Sequence, residues 1–76
     1  MIRFRVITPS NLIVDTHCRS VILPGINGEF QILPDHASMI AMLKPGAIVY
    51  NDIHLIITSG YAEIHDNILS VICEGQ

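Results

Sequence analysis

Alternation of apolar and polar residues dominates the first quarter of the chain. One parity holds Ile2, Phe4, Val6 and Thr8, and the other holds Arg3 and Arg5. A period of two is typical of a strand that buries one face. Residues 12–14 are an apolar run that stops at Asp15-Thr16, and residues 17–23 mix polar and apolar side chains. These segments predict a second and a third strand with a bend between them.

Turn signals are densest between residues 23 and 46. Four pairs punctuate this stretch, namely Pro24-Gly25, Asn27-Gly28, Pro34-Asp35 and Pro45-Gly46. Asn-Gly is the strongest of them, because both residues tolerate the positive φ that a type I′ hairpin turn demands. Residues 29–33 are therefore expected to fold back on the strand that ends near Leu23.

Residues 37–43 are ambiguous on local propensity alone. Alanine, methionine and leucine favour a helix, and Asp35 or Ser38 could cap its first turn. The segment is nevertheless short for a helix and of ordinary length for a strand. We interpret it as a strand.

The last third of the chain predicts two hairpins with two-residue loops, at Asn51-Asp52 and Asp66-Asn67. The loops set the expected cross-strand pairs, which are Tyr50 with Ile53, Ile48 with Leu55, Ile64 with Leu69, and Ala62 with Val71. With no convincing helix, the pattern indicates an all-β fold. We expect a small two-sheet β-sandwich, or a small barrel, of about eight to ten short, mainly antiparallel strands in one domain over residues 1–76.

Composition adds the expectation of a partner. Half of the 76 residues are hydrophobic, 14% are charged and the mean hydropathy is +0.49. A domain this small buries only about 60% of its unfolded surface, so an exposed apolar patch is expected. The alternative is a monomer with an unusually apolar composition.

The net charge of −3 argues against a protein that binds nucleic acid. Without a long apolar run or a signal peptide, we expect a soluble cytosolic chain that does not anchor itself.

Histidine and cysteine spacings do not favour a metal site. His17 and Cys18 are adjacent, so on a strand they point to opposite faces, and the pairs Cys-x-x-Cys and His-x-x-x-His do not occur. Asp35, His36 and Ser38 contain the residue types of a hydrolase triad, but neighbours in one turn cannot adopt its in-line geometry. No metal, cofactor or catalytic residue is predicted. The residues alone indicate a small all-β interaction module.

Four motifs carry a resemblance to a known family. They are Leu23-Pro-Gly25, Gly28-Glu-Phe30, Leu33-Pro-Asp-His-Ala37 and Leu43-Lys-Pro-Gly46, and residues 4–9 and 58–60 add weaker matches. In this order and spacing the chain resembles the N-terminal β-sandwich of the epsilon subunit of F-type ATP synthases. Departures from the family pattern occur at Gln31, Asp35, Ser38 and Tyr61, and the hairpin at Asn51-Asp52 is tighter than usual.

The resemblance implies a non-catalytic subunit of the central stalk, or rotor. In the family, this domain grips the gamma subunit, rests on the polar loops of the c-ring and helps to couple proton flow to ATP synthesis. The implied location is peripheral, on the cytoplasmic face of the inner cell membrane, reached only through the complex. The family's C-terminal helical hairpin would begin near Glu74, so inhibition and ATP binding are not assigned. The alternative is a free-standing β-sandwich that binds a ligand or a protein.

Six residues fall on the family's contact positions. The resemblance implies c-ring contacts at Glu29 and His36, and gamma contacts at Thr8, Met39, Ala41 and Met42. We expect Glu29 at a hairpin tip, just past the Asn27-Gly28 turn. Because alternate residues of a strand face opposite sides, one parity of residues 39–43 should be core and the other interface.

Overall fold

The computed structural model describes residues 1–74, and every regular element in that range is a β-strand. The nine strands are β1 (Ile2–Ile7), β2 (Leu12–Cys18), β3 (Val21–Gly25), β4 (Gly28–Ile32), β5 (Met39–Leu43), β6 (Gly46–Tyr50), β7 (Ile53–Ile57), β8 (Gly60–His65) and β9 (Ile68–Cys73). The strand interpretation of residues 37–43 is confirmed for Met39–Leu43, since β5 pairs with β8 along its whole length, whereas residues 37 and 38 precede the strand.

The strands form two groups that share one core. One group has the order β2-β1-β9-β8-β5, and the other contains β4, β3, β6 and β7. A single residue pair, Gly25 opposite Leu43, joins the groups through β3 and β5. β1 and β9 run parallel, whereas the other strand pairs are antiparallel. The predicted all-β sandwich of mainly antiparallel strands is confirmed.

The core is built from the inward parity of strands in both groups. Its buried residues are Ile2, Phe4, Val6, Cys18, Val21, Leu23, Ile32, Leu43, Ile48, Tyr50, Ile57, Ala62, Ile64, Leu69, Val71 and Cys73. The rings of Phe4 and Tyr50 lie with centroids 4.8 Å apart and connect the two groups. Fully burying a side chain such as Phe4 contributes about 1.5–3 kcal/mol, so this core is the main source of stability.

Both C-terminal hairpins have the predicted loops and registers. Asn51 and Asp52 have positive φ, as do Asp66 and Asn67, which is what a type I′ turn requires. The pairs Tyr50 with Ile53, Ile48 with Leu55, Ile64 with Leu69, and Ala62 with Val71 are all present. Each pair therefore presents two side chains to the same face of its sheet.

The β3–β4 hairpin exists, but its predicted turn is wrong. Gly25 pairs with Gly28, so the loop residues are Ile26 and Asn27 and not Asn27-Gly28. Positive φ occurs at Gly28 (128°) and not at Asn27. This register sets Val21 against Ile32 and Leu23 against Phe30. Burial of these apolar pairs outweighs the local turn preference of Asn-Gly.

The predicted strand break at Asp15-Thr16 is also wrong. β2 runs through both residues, and the chain leaves it after Cys18. Asp15 lies on the solvent side, where its carboxylate accepts two hydrogen bonds from Arg3, of 3.1 and 3.2 Å. A polar residue on the outer parity is compatible with a strand whose other parity is half-buried or buried. The polarity of Asp15 therefore does not mark the end of β2.

Candidate interaction surface

β5 presents an unusually apolar strand to solvent. Leu43 is 4% exposed and belongs to the core, so its parity points inward. Ile40 and Met42 have the opposite parity and are 66% and 56% exposed. Ala41 is half-buried, and Met39 is 37% exposed. The structure thus decides the parity question, with Ile40 and Met42 facing out.

A groove of about 520 Å3 separates β5 from the β3–β4 hairpin. Its walls are Gly25, Ile26, Asn27, Gly28, Glu29 and Phe30 on one side, and Met39, Ile40, Ala41 and Met42 on the other. We call it the β4–β5 groove. It brings together four of the six residues expected to make contacts, Glu29, Met39, Ala41 and Met42.

Glu29 lies on the rim of the β4–β5 groove. It is the second residue of β4, directly opposite Pro24, and its side chain is exposed. The expected place at the hairpin tip is instead taken by Ile26 and Asn27. A carboxylate beside apolar walls suits a partner that brings a cationic or amide group to the edge of an apolar contact.

His36 lies outside the groove, in the turn between β4 and β5. The His36 N–H donates to the Leu33 carbonyl over 3.2 Å, and Asp35 between them has φ 63°. This matches a type II turn with Pro34 at its second position. Glu29 sits near the start of β4, and roughly 13 Å of extended chain separates it from Leu33, where the turn begins. The two expected c-ring residues are therefore separate contact points.

The β8–β9 turn holds the turn that carries His36. Asn67 Oδ1 accepts a 2.6 Å hydrogen bond from the Asp35 N–H, and Asn67 Nδ2 donates to Asp35 Oδ1 over 3.0 Å. We call this pair the Asp35–Asn67 clamp. Sequence reasoning missed it, because the two residues are 32 positions apart. Turn chemistry at each residue gives no hint of the contact between them.

Ser38 forms its side-chain hydrogen bond outside the Asp35, His36 and Ser38 set that was considered as a hydrolase triad. Its Oγ lies 2.9 Å from His65 Nδ1, and His65 Nε2 lies 3.1 Å from Asp66 Oδ2. His65 and Asp66 are largely exposed, so water competes for this contact. We interpret the set as a surface tie between the loop before β5 and the β8–β9 turn.

Thr8 is not brought together with the β5 residues. It follows β1 and closes the β1–β2 turn, where its N–H donates to the Asn11 carbonyl over 2.8 Å. The strand order places β9 and β8 between β1 and β5. Three strand spacings correspond to roughly 14 Å. Thr8 and Met42 can touch one partner only if that partner spans this distance.

A row of apolar residues crosses five strands on the outside of the larger group. Cross-strand pairing aligns Leu12, Ile7, Ile72, Tyr61 and Met42, in that order. Tyr61, Leu12 and Met42 are exposed. Of these five residues, sequence reasoning named Met42 alone as a contact, since the alignment depends on the registers of four strand pairs. The row and the groove meet at Met42 and account for the expected exposed apolar patch.

Within residues 1–74, His, Cys, Asp and Glu side chains form no group of three or more that could hold a metal ion. That same part of the chain contains no helix long and apolar enough to cross a membrane.

Comparison with known proteins identifies the family. The model of the ATP synthase delta/epsilon chain β-sandwich domain matches residues 1–75. The chain belongs to this family. The ATP synthase epsilon chain of Campylobacter concisus is 37% identical over 79 residues, covering 97% of this chain and 61% of the relative. The chloroplast epsilon chain of Emiliania huxleyi is 35% identical, covering 93% and 58%.

Solved structures show the same fold. A chain in the central stalk and c-ring structure of Tetrahymena thermophila mitochondrial ATP synthase matches 96% of this chain, with a TM-score of 0.82 and 13% identity. A chain in the Euglena gracilis mitochondrial ATP synthase structure gives 0.83 and 16%, over 95% of this chain. The chain spans about three fifths of the length of its epsilon-chain relatives.

Family membership confirms the resemblance, and the structure accounts for some of the departures from the motif. Asp35 takes the positive φ usually given to glycine or asparagine. Position 60 requires glycine, because a Cβ there would collide with the Ile72 carbonyl oxygen and lie 2.9 Å from Cys73 Cα. Tyr61, the next residue, is exposed, so a large side chain fits there in this delta/epsilon domain.

Proposed function

We propose that this chain is a non-catalytic subunit of the central stalk of a proton-translocating F-type ATP synthase. It docks on gamma and on the polar loops of the c-ring, and couples proton flow to ATP synthesis. The observation that carries the proposal is the match of the delta/epsilon β-sandwich family to residues 1–75. A rotor must transmit torque without slipping, and a sandwich cross-linked by strand ladders is a rigid body for that purpose.

Gamma docks on the β5 side in this proposal, with Met39, Ala41, Met42 and Thr8 among its contacts. The exposure of Met42 supports it, because a side chain that large and apolar is normally buried. Methionine also suits adaptable packing against a partner. The roughly 14 Å between β1 and β5 requires a broad gamma surface.

The c-ring rests against Glu29 and His36. Glu29 presents an exposed carboxylate on the groove rim, and the half-buried His36 lies in a turn held by the Asp35–Asn67 clamp. A turn fixed at two atoms loses less conformational entropy on binding than a mobile loop does. The subunit is peripheral, on the cytoplasmic face of the inner cell membrane, and needs no cofactor of its own.

Binding to gamma is the first test. Met42→Asp should weaken binding by at least about tenfold, because a charge would be buried in an apolar contact. Ile56→Asp is the matched control, since Ile56 is also an exposed apolar strand residue, 58% exposed on β7. It should bind gamma like the parent chain. Equal weakening in both variants would contradict docking on the β5 side.

Coupling is the second test. Glu29→Lys and His36→Asp should lower proton-driven ATP synthesis in reconstituted vesicles, while Asp52→Lys, at an exposed carboxylate in the β6–β7 turn, should not. Unchanged coupling in both site variants would remove these residues from the c-ring contact. Failure of the parent chain to bind gamma at all would favour a free-standing β-sandwich module instead.

A further inference from the structure

β5 has one edge that the described sheet leaves largely open. Its five residues all pair with β8 on one side. On the other side, within residues 1–74, its ladder to β3 consists of Gly25 opposite Leu43. The Ile26 N–H donates to the Met42 carbonyl over 3.1 Å at the end of that ladder. Beyond this point the edge of β5 forms a wall of the β4–β5 groove.

Backbone geometry fixes which groups face the groove. In an antiparallel strand, the N–H and C=O of one residue point to the same edge, and consecutive residues alternate. Because the Met42 carbonyl faces β3, the N–H and C=O of Ile40 point to that same side. Those of Met39, Ala41 and Leu43 point to β8. Ile40 therefore offers one donor and one acceptor to whatever occupies the groove.

The chemistry of β5 differs from that of the other edge strands. β2, β4 and β7 contain Asp15 and His17, Glu29, and His54 respectively. Charged or polar side chains on an edge strand discourage pairing with another chain. β5 reads Met-Ile-Ala-Met-Leu and has no such residue. Its edge is thus both open and unprotected.

We infer that the groove edge of β5 binds an extended segment of the gamma subunit as an added strand. The inference rests on the proposed function and gives it a binding mode. Main-chain hydrogen bonds to Ile40 supply affinity, and alternate apolar side chains of the segment pack on the groove walls. Phe30, half-buried on the opposite wall, forms part of that apolar surface.

The shape of the groove favours a lone strand over a second copy of this chain. Each copy has a β3–β4 hairpin that forms the opposite wall, with Ile26 exposed on it. Pairing β5 with β5 of a second copy would bring two such hairpins into the space beside one strand pair. An extended segment without a flanking hairpin avoids this clash.

Amide hydrogen exchange tests the inference in the unmodified chain. Alone, the Ile40 amide should exchange at least about tenfold faster than those of Met39 and Ala41, which face β8. In the complex with gamma, exchange at Ile40 should slow by at least about tenfold while its neighbours change little. Gamma binding without protection at Ile40 would overturn strand addition and leave the proposed function standing. Protection that rises with the concentration of the chain alone would overturn it too, in favour of self-pairing.

A proline pair supplies the second measurement. Ile40→Pro removes the N–H that faces the groove, so gamma binding should weaken roughly tenfold, the effect of one lost hydrogen bond. Ile56→Pro is the control, because Ile56 alternates with the hydrogen-bonded residues of the β6–β7 hairpin and its N–H faces the open edge of β7. Equal weakening in both folded variants would overturn the inference.

Discussion

The Asp35–Asn67 clamp yields the sharpest stability prediction. Asn67 has φ 62°, and its side chain forms both hydrogen bonds to Asp35, of 2.6 and 3.0 Å. Glycine adopts positive φ without strain. Asn67→Gly therefore keeps the type I′ turn and removes the two hydrogen bonds that hold the turn carrying His36.

Asn51→Gly in the β6–β7 turn is the matched control. Asn51 has φ 47°, and its Nδ2 donates one hydrogen bond, of 3.1 Å, to the His17 carbonyl. The backbone terms for replacing a left-handed asparagine by glycine are shared by the two variants and cancel in the comparison. One additional hydrogen bond is worth about 0.5–1.5 kcal/mol net. We expect Asn67→Gly to lower the free energy of unfolding by about 1 kcal/mol more than Asn51→Gly does.

Urea unfolding measures this difference as a shift in midpoint at constant m-value. In a domain of this size, about 1 kcal/mol also corresponds to a difference of about 4–8 °C in Tm. Amide exchange localises the effect, since the Asp35 N–H loses its acceptor in Asn67→Gly and keeps it in Asn51→Gly. Equal losses of stability, or unchanged exchange at Asp35, would refute the clamp.

Two further predictions concern glycine and charge. Gly60→Ala places a Cβ against the Ile72 carbonyl oxygen, so it should lower stability by at least about 1–3 kcal/mol in thermal melts. In Gly28→Ala the added Cβ meets no atom within 4 Å, but residue 28 has φ 128°, so backbone strain alone should lower stability. A loss of stability in Gly60→Ala no larger than the loss in Gly28→Ala would contradict the clash. The Arg3 guanidinium lowers the pKa of the Asp15 carboxyl through their hydrogen bonds. The ion pair therefore stabilises the fold above the unfolded-state pKa of about 3.9 and is lost as pH falls through the lower folded-state value. Asp15→Asn should flatten the acid limb of the stability curve and leave its slope at neutral pH unchanged.

The sequence by itself determined most of the secondary structure. The loops at Asn51-Asp52 and Asp66-Asn67 fixed two hairpin registers, because few residue pairs adopt positive φ twice in succession. Alternation predicted β1, and the brevity of residues 37–43 favoured a strand there over a helix. The ordered motifs from Leu23 to Gly46 were enough to indicate the family, which the match to residues 1–75 confirms.

Tertiary structure decided what local preference could not. Burial of Val21 and Leu23 against β4 moved the β3–β4 loop one residue from Asn27-Gly28. A solvent-facing position let β2 continue through Asp15.

The candidate contacts depended on tertiary structure in the same way. Burial of Leu43 assigned Ile40 and Met42 to the surface, and pairing between distant strands created the β4–β5 groove and the apolar row. Turns and strands are encoded by neighbouring residues, whereas a docking surface is assembled from strands whose relative placement is set by the shared core. The sequence therefore named single contact residues, and the fold showed which of them lie together.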